Sequence, residues 1–184
     1  MRRPEWHHYF MMITKVVSIR STCNSRPTGA IAVLDKQILS TGYNGSMSGA
    51  PHCTEQPDFE GKPYCRRRAE GAPEGDKYNY CSSVHAETNV VARAARKGIS
   101  LEGSTVYCTL APCFVCLKLI ANAGVQEVWF ELDYVSDDPN RDQYWKDITK
   151  ESPIKVVKRL EPHYDSYSAA RVALEYPTSK RRLT

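Results

Sequence analysis

The feature that most constrains how this chain can fold is a pair of short motifs separated by the segment 88–110. The first motif, at 84–87, reads Val-His-Ala-Glu, and the second, at 111–116, reads Ala-Pro-Cys-Phe-Val-Cys. Neither motif is specific alone, because Cys-x-x-Cys also occurs in redox sites and His-x-Glu occurs by chance in many helices. Together they favour a fold that brings two distant segments to one point.

The first motif carries the signals of a helix N-terminus. Ser82 and Ser83 are suitable N-cap residues, and apolar residues then recur at helical intervals as far as Lys97. This pattern predicts that His85 and Glu87 lie in the first turn of a helix.

The second motif predicts another helix N-terminus. Pro112 suits the first helical position, and Gly124 suits the end of the helix. Cys113 and Cys116 are then about one turn apart. The positive ends of the two helix dipoles favour thiolate side chains at this point.

One histidine and two cysteine thiolates form a three-ligand zinc set, which leaves a fourth coordination position open, as in catalytic zinc sites. His-x-Glu followed by Pro-Cys-x-x-Cys is the signature of zinc deaminases. We therefore predict that His85, Cys113 and Cys116 bind Zn²⁺. Glu87 is too close to His85 in sequence to be a fourth ligand on the same helix face, and it is predicted to transfer the proton of a zinc-bound water.

The composition predicts one soluble globular domain over residues 1–184. The chain has 41% hydrophobic and 25% charged residues and a formal net charge of +4. We find no apolar run of membrane-spanning length and no signal-peptide core, so the expected location is the cytoplasm, with no membrane and no nucleic-acid partner. Seven cysteines in a reducing compartment indicate metal ligation rather than disulfides.

Alternating strand and helix patterns follow an opening β-hairpin. This order predicts an α/β fold, a three-layer α/β/α arrangement with a mixed central sheet of about five strands. The predicted helices are at 4–22, 85–97, 112–124, 139–150 and 165–176; the strands are at 30–34, 37–43, 104–109, 127–132 and 154–157; and a basic tail covers 179–182.

A long segment ahead of the first motif lacks any periodic pattern. From about 44 to 83, Pro and Gly recur and a run of three arginines occupies 66–68. A loop of this length in a compact domain usually has a function or is held in place by a specific interaction. The arginine run could face phosphates, although charge runs in loops are usually only solvated.

Beyond these patterns, the chain resembles the deoxycytidylate (dCMP) deaminases of the cytidine deaminase-like superfamily, especially the bacteriophage type. Thr88 stands where members of this family usually have Leu or Met, and Thr28 stands where they usually have Val. Neither residue is predicted to take part in the reaction. The matching segments are 42–45 (Gly-Tyr-Asn-Gly), 51–53 (Pro-His-Cys), 84–89, 98–99, 102–103, 107, 109–113, 116 and 123–125.

This resemblance implies zinc-dependent hydrolysis of dCMP to dUMP and ammonia, which supplies thymidylate synthesis. Zinc held by His85, Cys113 and Cys116 would lower the pKa of its bound water. Glu87 would carry a proton from that water to N3 of the cytosine ring, and the ammonia would leave from C4.

The resemblance also suggests a substrate-binding set. Asn44, flanked by glycines, would hydrogen-bond the deoxyribose. Arg26 could pair with the 5′-phosphate and Tyr134 could form a wall of the pocket, although a solvated arginine and a packing aromatic residue are equally good readings. Ala86 and Thr109 complete the predicted substrate-binding set.

Related phage and bacterial enzymes have a second, structural zinc, with ligands at the positions matching Cys23 and Cys53. Cys65 and Cys81 would complete the set here, with His52 as an alternative ligand. Such a site would make 44–83 a zinc-tethered insertion. The other reading is that some of these cysteines are simply small buried residues. Cys108, in an apolar strand, is predicted to belong to the core.

Regulation is implied only by the resemblance. Many dCMP deaminases are homo-hexamers activated by dCTP and inhibited by dTTP, with Mg²⁺ accompanying the triphosphate. The effector site would lie near Gly45 at a subunit interface, and Arg96 matches a position tied to regulation. The alternative for Arg96 is an exposed helix charge. The resemblance is strongest to viral enzymes, which would act in a host cytoplasm.

Three other functions stay open. The same metal site could serve free cytidine or deoxycytidine, or a base within a polynucleotide. From a different class, a non-catalytic zinc-stabilised binding protein would also keep the ligands. The presence of Glu87 counts against this last reading, because a purely structural site does not need that carboxylate.

Overall fold

The structure is a computed structural model that describes residues 3–73, 79–133 and 139–162. In chain order its elements are α1 (Trp6–Ser18), β1 (Gly29–Leu34), β2 (Gln37–Tyr43), β3 (Gly45–Ser46), α2 (Arg66–Ala69), β4 (Ser83–Val84), α3 (Ala86–Arg96), β5 (Thr105–Leu110), α4 (Phe114–Asn122), β6 (Glu127–Leu132), α5 (Pro139–Glu151) and β7 (Val156–Arg159).

A five-stranded mixed sheet forms the centre of the fold, in the order β2-β1-β5-β6-β7. β1 pairs antiparallel with both β2 and β5, whereas β5, β6 and β7 run parallel. Asp35 and Lys36 join β1 to β2 with φ angles of 48° and 63°, as a tight type I′ hairpin turn requires. The predicted hairpin and mixed sheet are confirmed.

Alternating residues of the strands enter two separate cores, one on each face of the sheet. In β5, Val106 and Cys108 belong to the core that includes residues of α3 and α4, whereas Tyr107 packs with Phe10 and Met11 of α1. The sheet is therefore covered by helices on both faces, which confirms the predicted three layers. Cys108 is a core residue, as predicted.

Helix α1 is also attached to the sheet by an ion pair. The Nζ of Lys15 lies 2.8 Å from an Oε of Glu131, whose side chain is only 4% exposed on β6. A buried carboxylate needs such a partner, because burial of an unpaired charge is costly.

Four predicted element boundaries were wrong, and tertiary contacts explain the first two. α1 ends at Ser18 rather than near residue 22, because Thr22 N–H already donates to the carbonyl oxygen of Asn44. Ser83 is not an N-cap, because β4 pairs with β3 and the N-cap of α3 is His85. Pro112 precedes α4, whose N-cap is Cys113. β7 begins at Val156, two residues later than the predicted strand.

The described part of the segment 44–83, residues 44–73 and 79–83, contains more regular structure than the sequence predicts. It contains β3, α2 and a 3₁₀ turn at Cys53–Glu55, and β4 begins at its end. Asn24 anchors this segment by two hydrogen bonds. Its Nδ2 donates to the carbonyl oxygens of Cys53 and Tyr64, at 3.0 and 3.1 Å.

The predicted helix at 165–176 and the basic tail lie outside the described residues. No helix in the described part of the chain combines the length and hydropathy needed to cross a bilayer.

Candidate active site

The N-termini of α3 and α4 meet beside the carboxyl ends of β5 and β6. Ala111 N–H donates to Leu132 O, which holds the chain beyond β5 against β6. The N-cap residues His85 and Cys113 then turn the chain into the two helices. The structure thereby brings the two sequence motifs together.

The side chains of His85, Cys113 and Cys116 have the geometry of a zinc ligand set. The Nδ1 of His85 lies 3.6 Å from Cys113 Sγ and 3.4 Å from Cys116 Sγ. Tetrahedral zinc, with bonds of about 2.0 Å to nitrogen and about 2.3 Å to sulfur, would place these atoms about 3.5 Å apart. All three ligand atoms lie within 4.8 Å of one another, so the residues present fit the metal.

The two thiols differ in acidity. Hydrogen bonds with Cys116 and with His85 lower the pKa of Cys113 to about 4. Hydrogen bonding with Cys113, together with burial, raises the pKa of Cys116. Both cysteines must be thiolates to bind a metal, so Cys116 would release its proton to solvent when the metal binds. The predicted pair of thiolate ligands stays a prediction.

Glu87 is buried beside this cluster in the first turn of α3, with 7% of its surface exposed. Burial raises the pKa of Glu87 to about 7. A carboxyl group that titrates near neutral pH can both accept and release a proton during turnover, as general acid–base catalysis requires. Cys113 and Cys116 are among the groups that set this value.

Thr88 is a site residue that the sequence analysis missed. Its Oγ1 lies 3.6 Å from Cys116 Sγ, within reach of a hydrogen bond to sulfur. The signal that could have found it is its spacing of three residues from His85, which puts both on one side of a helix start.

Trp145 also supports the site and was not identified from the sequence. Its Nε1 donates a 2.7 Å hydrogen bond to the carbonyl oxygen of Pro112, the residue before Cys113. No local pattern marks this contact, because 33 residues separate the partners.

Asn44 is buried, and its side-chain amide makes three hydrogen bonds with described residues. Its Oδ1 accepts from Ser21 Oγ at 2.6 Å and from Thr28 N at 2.8 Å, and its Nδ2 donates to Arg26 O at 2.8 Å. The amide therefore holds the segment 21–28 in place. Of its two Nδ2 hydrogens, one is used by Arg26 O, and the predicted contact with deoxyribose stays a prediction.

The other predicted substrate-binding residues lie at different depths. Thr109 is buried, and its Oγ1 accepts from Gly29 N at 3.1 Å. Ala86 is buried at the start of α3, where a Cβ on Gly42 would come within 2.2 Å of its carbonyl oxygen. The side chain of Arg26 is exposed, and Tyr134 lies outside the described residues.

Three of the four cysteines of the predicted second zinc site lie on neighbouring backbone segments, because Asn24, which follows Cys23, donates to the carbonyl oxygens of Cys53 and of Tyr64, which precedes Cys65. Burial raises the pKa of Cys53, and the charges of Cys23, Cys65 and Cys81 add to the rise. Within residues 3–73, 79–133 and 139–162, however, only the His85 cluster gathers three ligand atoms within 4.8 Å. The Nδ1 of His52 is buried and has no hydrogen-bond partner in the described part of the chain.

The two predicted effector residues lie on different elements. Arg96 is an exposed residue at the end of α3. Gly45 pairs with Val84 across the small β3–β4 ribbon, where a Cβ would collide with Thr22 Oγ1.

Comparison with known proteins identifies the family. Residues 4–132 match the model of the cytidine and deoxycytidylate deaminase zinc-binding region. ComE operon protein 2 of Bacillus subtilis strain 168 is 32% identical over 134 residues, and the match spans 73% of this chain and 63% of that protein. The deoxycytidylate deaminase of Mycobacterium phage D29 is 37% identical over 133 residues, covering 70% of this chain and 95% of the phage protein.

A solved structure supports the same assignment. The dCMP deaminase of cyanophage S-TIM5, in complex with dCMP and dUMP, is 27% identical with a TM-score of 0.64, covering 87% of this chain and all of that one. The resemblance found in the sequence and the predicted fold class are both confirmed. This chain belongs to the cytidine and deoxycytidylate deaminase family.

Proposed function

We propose that this protein is a zinc-dependent hydrolase that deaminates dCMP to dUMP and ammonia. The observation that carries the proposal is the meeting of His85, Cys113 and Cys116 in zinc-ligand geometry beside the buried carboxyl group of Glu87. Relatives named deoxycytidylate deaminase and the S-TIM5 structure with dCMP and dUMP support this substrate.

Zinc bound to the three side chains would supply a water activated for attack at neutral pH. The residues of the chain transfer protons and position the substrate. The carboxylate of Glu87 takes a proton from the attacking water and delivers it to N3 of the cytosine ring. Its raised pKa, about 7, suits both steps. The product dUMP would supply thymidylate synthesis.

The test is an ammonia-release assay on dCMP, deoxycytidine, dCTP and a cytosine-containing oligonucleotide, with the zinc content per chain measured in parallel. Turnover of dCMP well above that of the other three would support the proposal. Preferential turnover of deoxycytidine or of the oligonucleotide would reassign the substrate. Zinc binding without turnover of any of them would favour a binding protein.

We also propose a second, structural Zn²⁺ held by Cys23, Cys53, Cys65 and Cys81, with His52 as the alternative ligand. The hydrogen bonds from Asn24, which follows Cys23, to the carbonyl oxygens of Cys53 and of Tyr64, which precedes Cys65, support it. We expect two zinc ions per chain in the unsubstituted protein. When Cys53 and Cys65 are both replaced by Ser, we expect one. One zinc per chain in the unsubstituted protein would contradict it.

Assembly and regulation rest on the family resemblance alone. We propose a homo-hexamer that dCTP, with Mg²⁺, activates and dTTP inhibits, with Gly45 and Arg96 near the effector. Light scattering measures the assembly, and initial rates with each triphosphate measure the regulation. Arg96→Met should weaken both effector responses while leaving the rate without effector unchanged. A monomer that ignores both triphosphates would overturn this part of the proposal.

A further inference from the structure

The three arginines of α2 have different partners. The Nε of Arg66 lies 3.8 Å from an Oε of Glu70, and Arg68 donates to the carbonyl oxygen of Pro63. Both contacts stay within the insertion. Among contacts with described residues, Arg67 is the one of the three that reaches another segment, where its Nη2 donates to Ser25 Oγ at 3.3 Å.

Arg67 has no acidic partner in the part of the chain that the structure describes, although a half-buried arginine usually has one. Among the described residues, no carboxylate oxygen forms an ion pair with its guanidinium within 4.0 Å. Its other polar contact is with the thiol of Cys65. A partly desolvated cation in this position favours binding of an anion.

The segment that Arg67 contacts lies close to the candidate zinc ligands. Ser21 and Thr28, on either side of Ser25, hydrogen-bond the side chain of Asn44. The next residue, Gly45, pairs with Val84, which directly precedes His85.

The segment that Arg67 contacts is fixed to the site. Asn44 binds the carbonyl oxygen of Arg26 and the N–H of Thr28, and Thr109 binds the N–H of Gly29. Because Thr109 lies on the strand that leads to Cys113, these bonds fix the position of Ser25 and Arg26 relative to the metal ligands. The hydroxyl of Ser25 and the guanidinium of Arg67 therefore lie in a defined place relative to those ligands.

We propose that Arg67, together with Ser25 Oγ, binds the 5′-phosphate of the nucleotide substrate, and that Arg67 is the residue of the insertion that selects nucleotides over nucleosides. This inference rests on the proposed function. The forked guanidinium can bind two phosphate oxygens at once, and the phosphate dianion supplies the negative charge that the described part of the protein does not place beside Arg67.

A different role would follow if the main partner of Arg67 were Cys65. Burial acts to raise the pKa of Cys65, but hydrogen bonds from Arg68 and Arg67 outweigh it, and the pKa lies below its ordinary value. In that case Arg67 would stabilise the cysteine cluster, and its loss would affect nucleotides and nucleosides alike.

The test compares Arg67→Met with Arg66→Met, a matched change one residue away that removes a charge already paired with Glu70. Binding of dCMP and of deoxycytidine is measured by calorimetry in a Glu87→Gln background, which prevents turnover, and kcat/KM is measured with Glu87 present. We expect Arg67→Met to weaken dCMP binding about 10- to 100-fold, the range for a charge-assisted hydrogen bond. Deoxycytidine binding and all values for Arg66→Met should change less than about twofold.

Zinc content and the thermal unfolding temperature are measured on every variant. Equal losses for dCMP and deoxycytidine, with lower zinc content, would show that Arg67 supports the cysteine cluster and would overturn the inference. Unchanged dCMP binding would overturn it as well. Absence of dCMP binding and turnover in the unsubstituted protein would instead refute the proposed function.

Discussion

The indole N–H of Trp145 donates a 2.7 Å hydrogen bond to the carbonyl oxygen of Pro112, directly before Cys113. Pro112 is fully buried, so this carbonyl depends on a protein partner. Trp145 also packs edge-on against Phe130, with ring centroids 6.0 Å apart. Helix α5 thereby helps to hold the turn that presents Cys113.

We therefore expect Trp145→Phe to weaken zinc binding about 10-fold, as loss of an outer support of a metal ligand typically does. The ring is retained, but the buried carbonyl loses its donor, which should also lower the free energy of unfolding by about 1–3 kcal/mol. Competition with a zinc chelator and urea unfolding measure the two effects. Tyr144→Phe, an exposed neighbour on the same helix, is the control. Unchanged zinc affinity in Trp145→Phe would show that the turn does not need this bond.

Replacement of Glu87 by Gln should separate metal binding from catalysis. Glu87 does not belong to the ligand cluster, so zinc content should stay close to that of the unsubstituted protein. The rate of ammonia release from dCMP should fall about 10²- to 10⁴-fold, since the proton carrier is lost. Glu151→Gln, at an exposed site on α5, should change neither quantity. Retained turnover in Glu87→Gln would require another proton carrier.

The hydroxyl of Thr88 should strengthen the bond between Cys116 and the metal. Thr88→Val removes the hydroxyl at nearly constant size, and we expect zinc affinity to fall about 10-fold. The cobalt-substituted protein should also show a shifted thiolate-to-metal absorption band. Thr88→Ser keeps the hydroxyl and should restore both properties. If Val and Ser variants behave alike, the hydroxyl does not act on Cys116.

The stability of the fold should depend on pH through His7 on α1. Its Nδ1 lies 3.0 Å from the Tyr107 hydroxyl, and its ring stacks on Trp129 at 4.1 Å. Burial lowers the pKa of His7 below its ordinary value of 6.5, partly offset by Glu127. The folded state therefore favours the neutral imidazole of His7. The resulting contribution to the free energy of unfolding is fully present above pH 6.5 and is lost as the pH falls through the folded-state pKa. The other charged or titratable groups acting on His7 are His8, Glu5 and Lys158.

We expect the unsubstituted protein to lose more stability between pH 7 and pH 5 than His7→Gln, which cannot be protonated. Urea unfolding at several pH values gives the two curves. Parallel curves would mean that His7 does not contribute to the pH dependence.

Local patterns alone could predict a large part of this protein. The apolar run of β1, the helical repeat after His85 and the turn at Asp35 and Lys36 are local patterns that neighbouring residues encode. The sequence also identified His85, Glu87, Cys113 and Cys116, because the two motifs are short and strictly spaced. These are the residues that the structure brings together.

Only the tertiary structure decided which distant groups support that site. Ser83 looks like a helix cap in sequence but lies in a strand, because Ser46 is available as its pairing partner. The bonds from Trp145 to Pro112 and from Arg67 to Ser25 join residues 33 and 42 positions apart. Such contacts depend on how whole elements pack against each other, and no pattern within either segment specifies that packing. The sequence therefore identifies the motif residues. The distant groups that support them can be identified only from the folded structure.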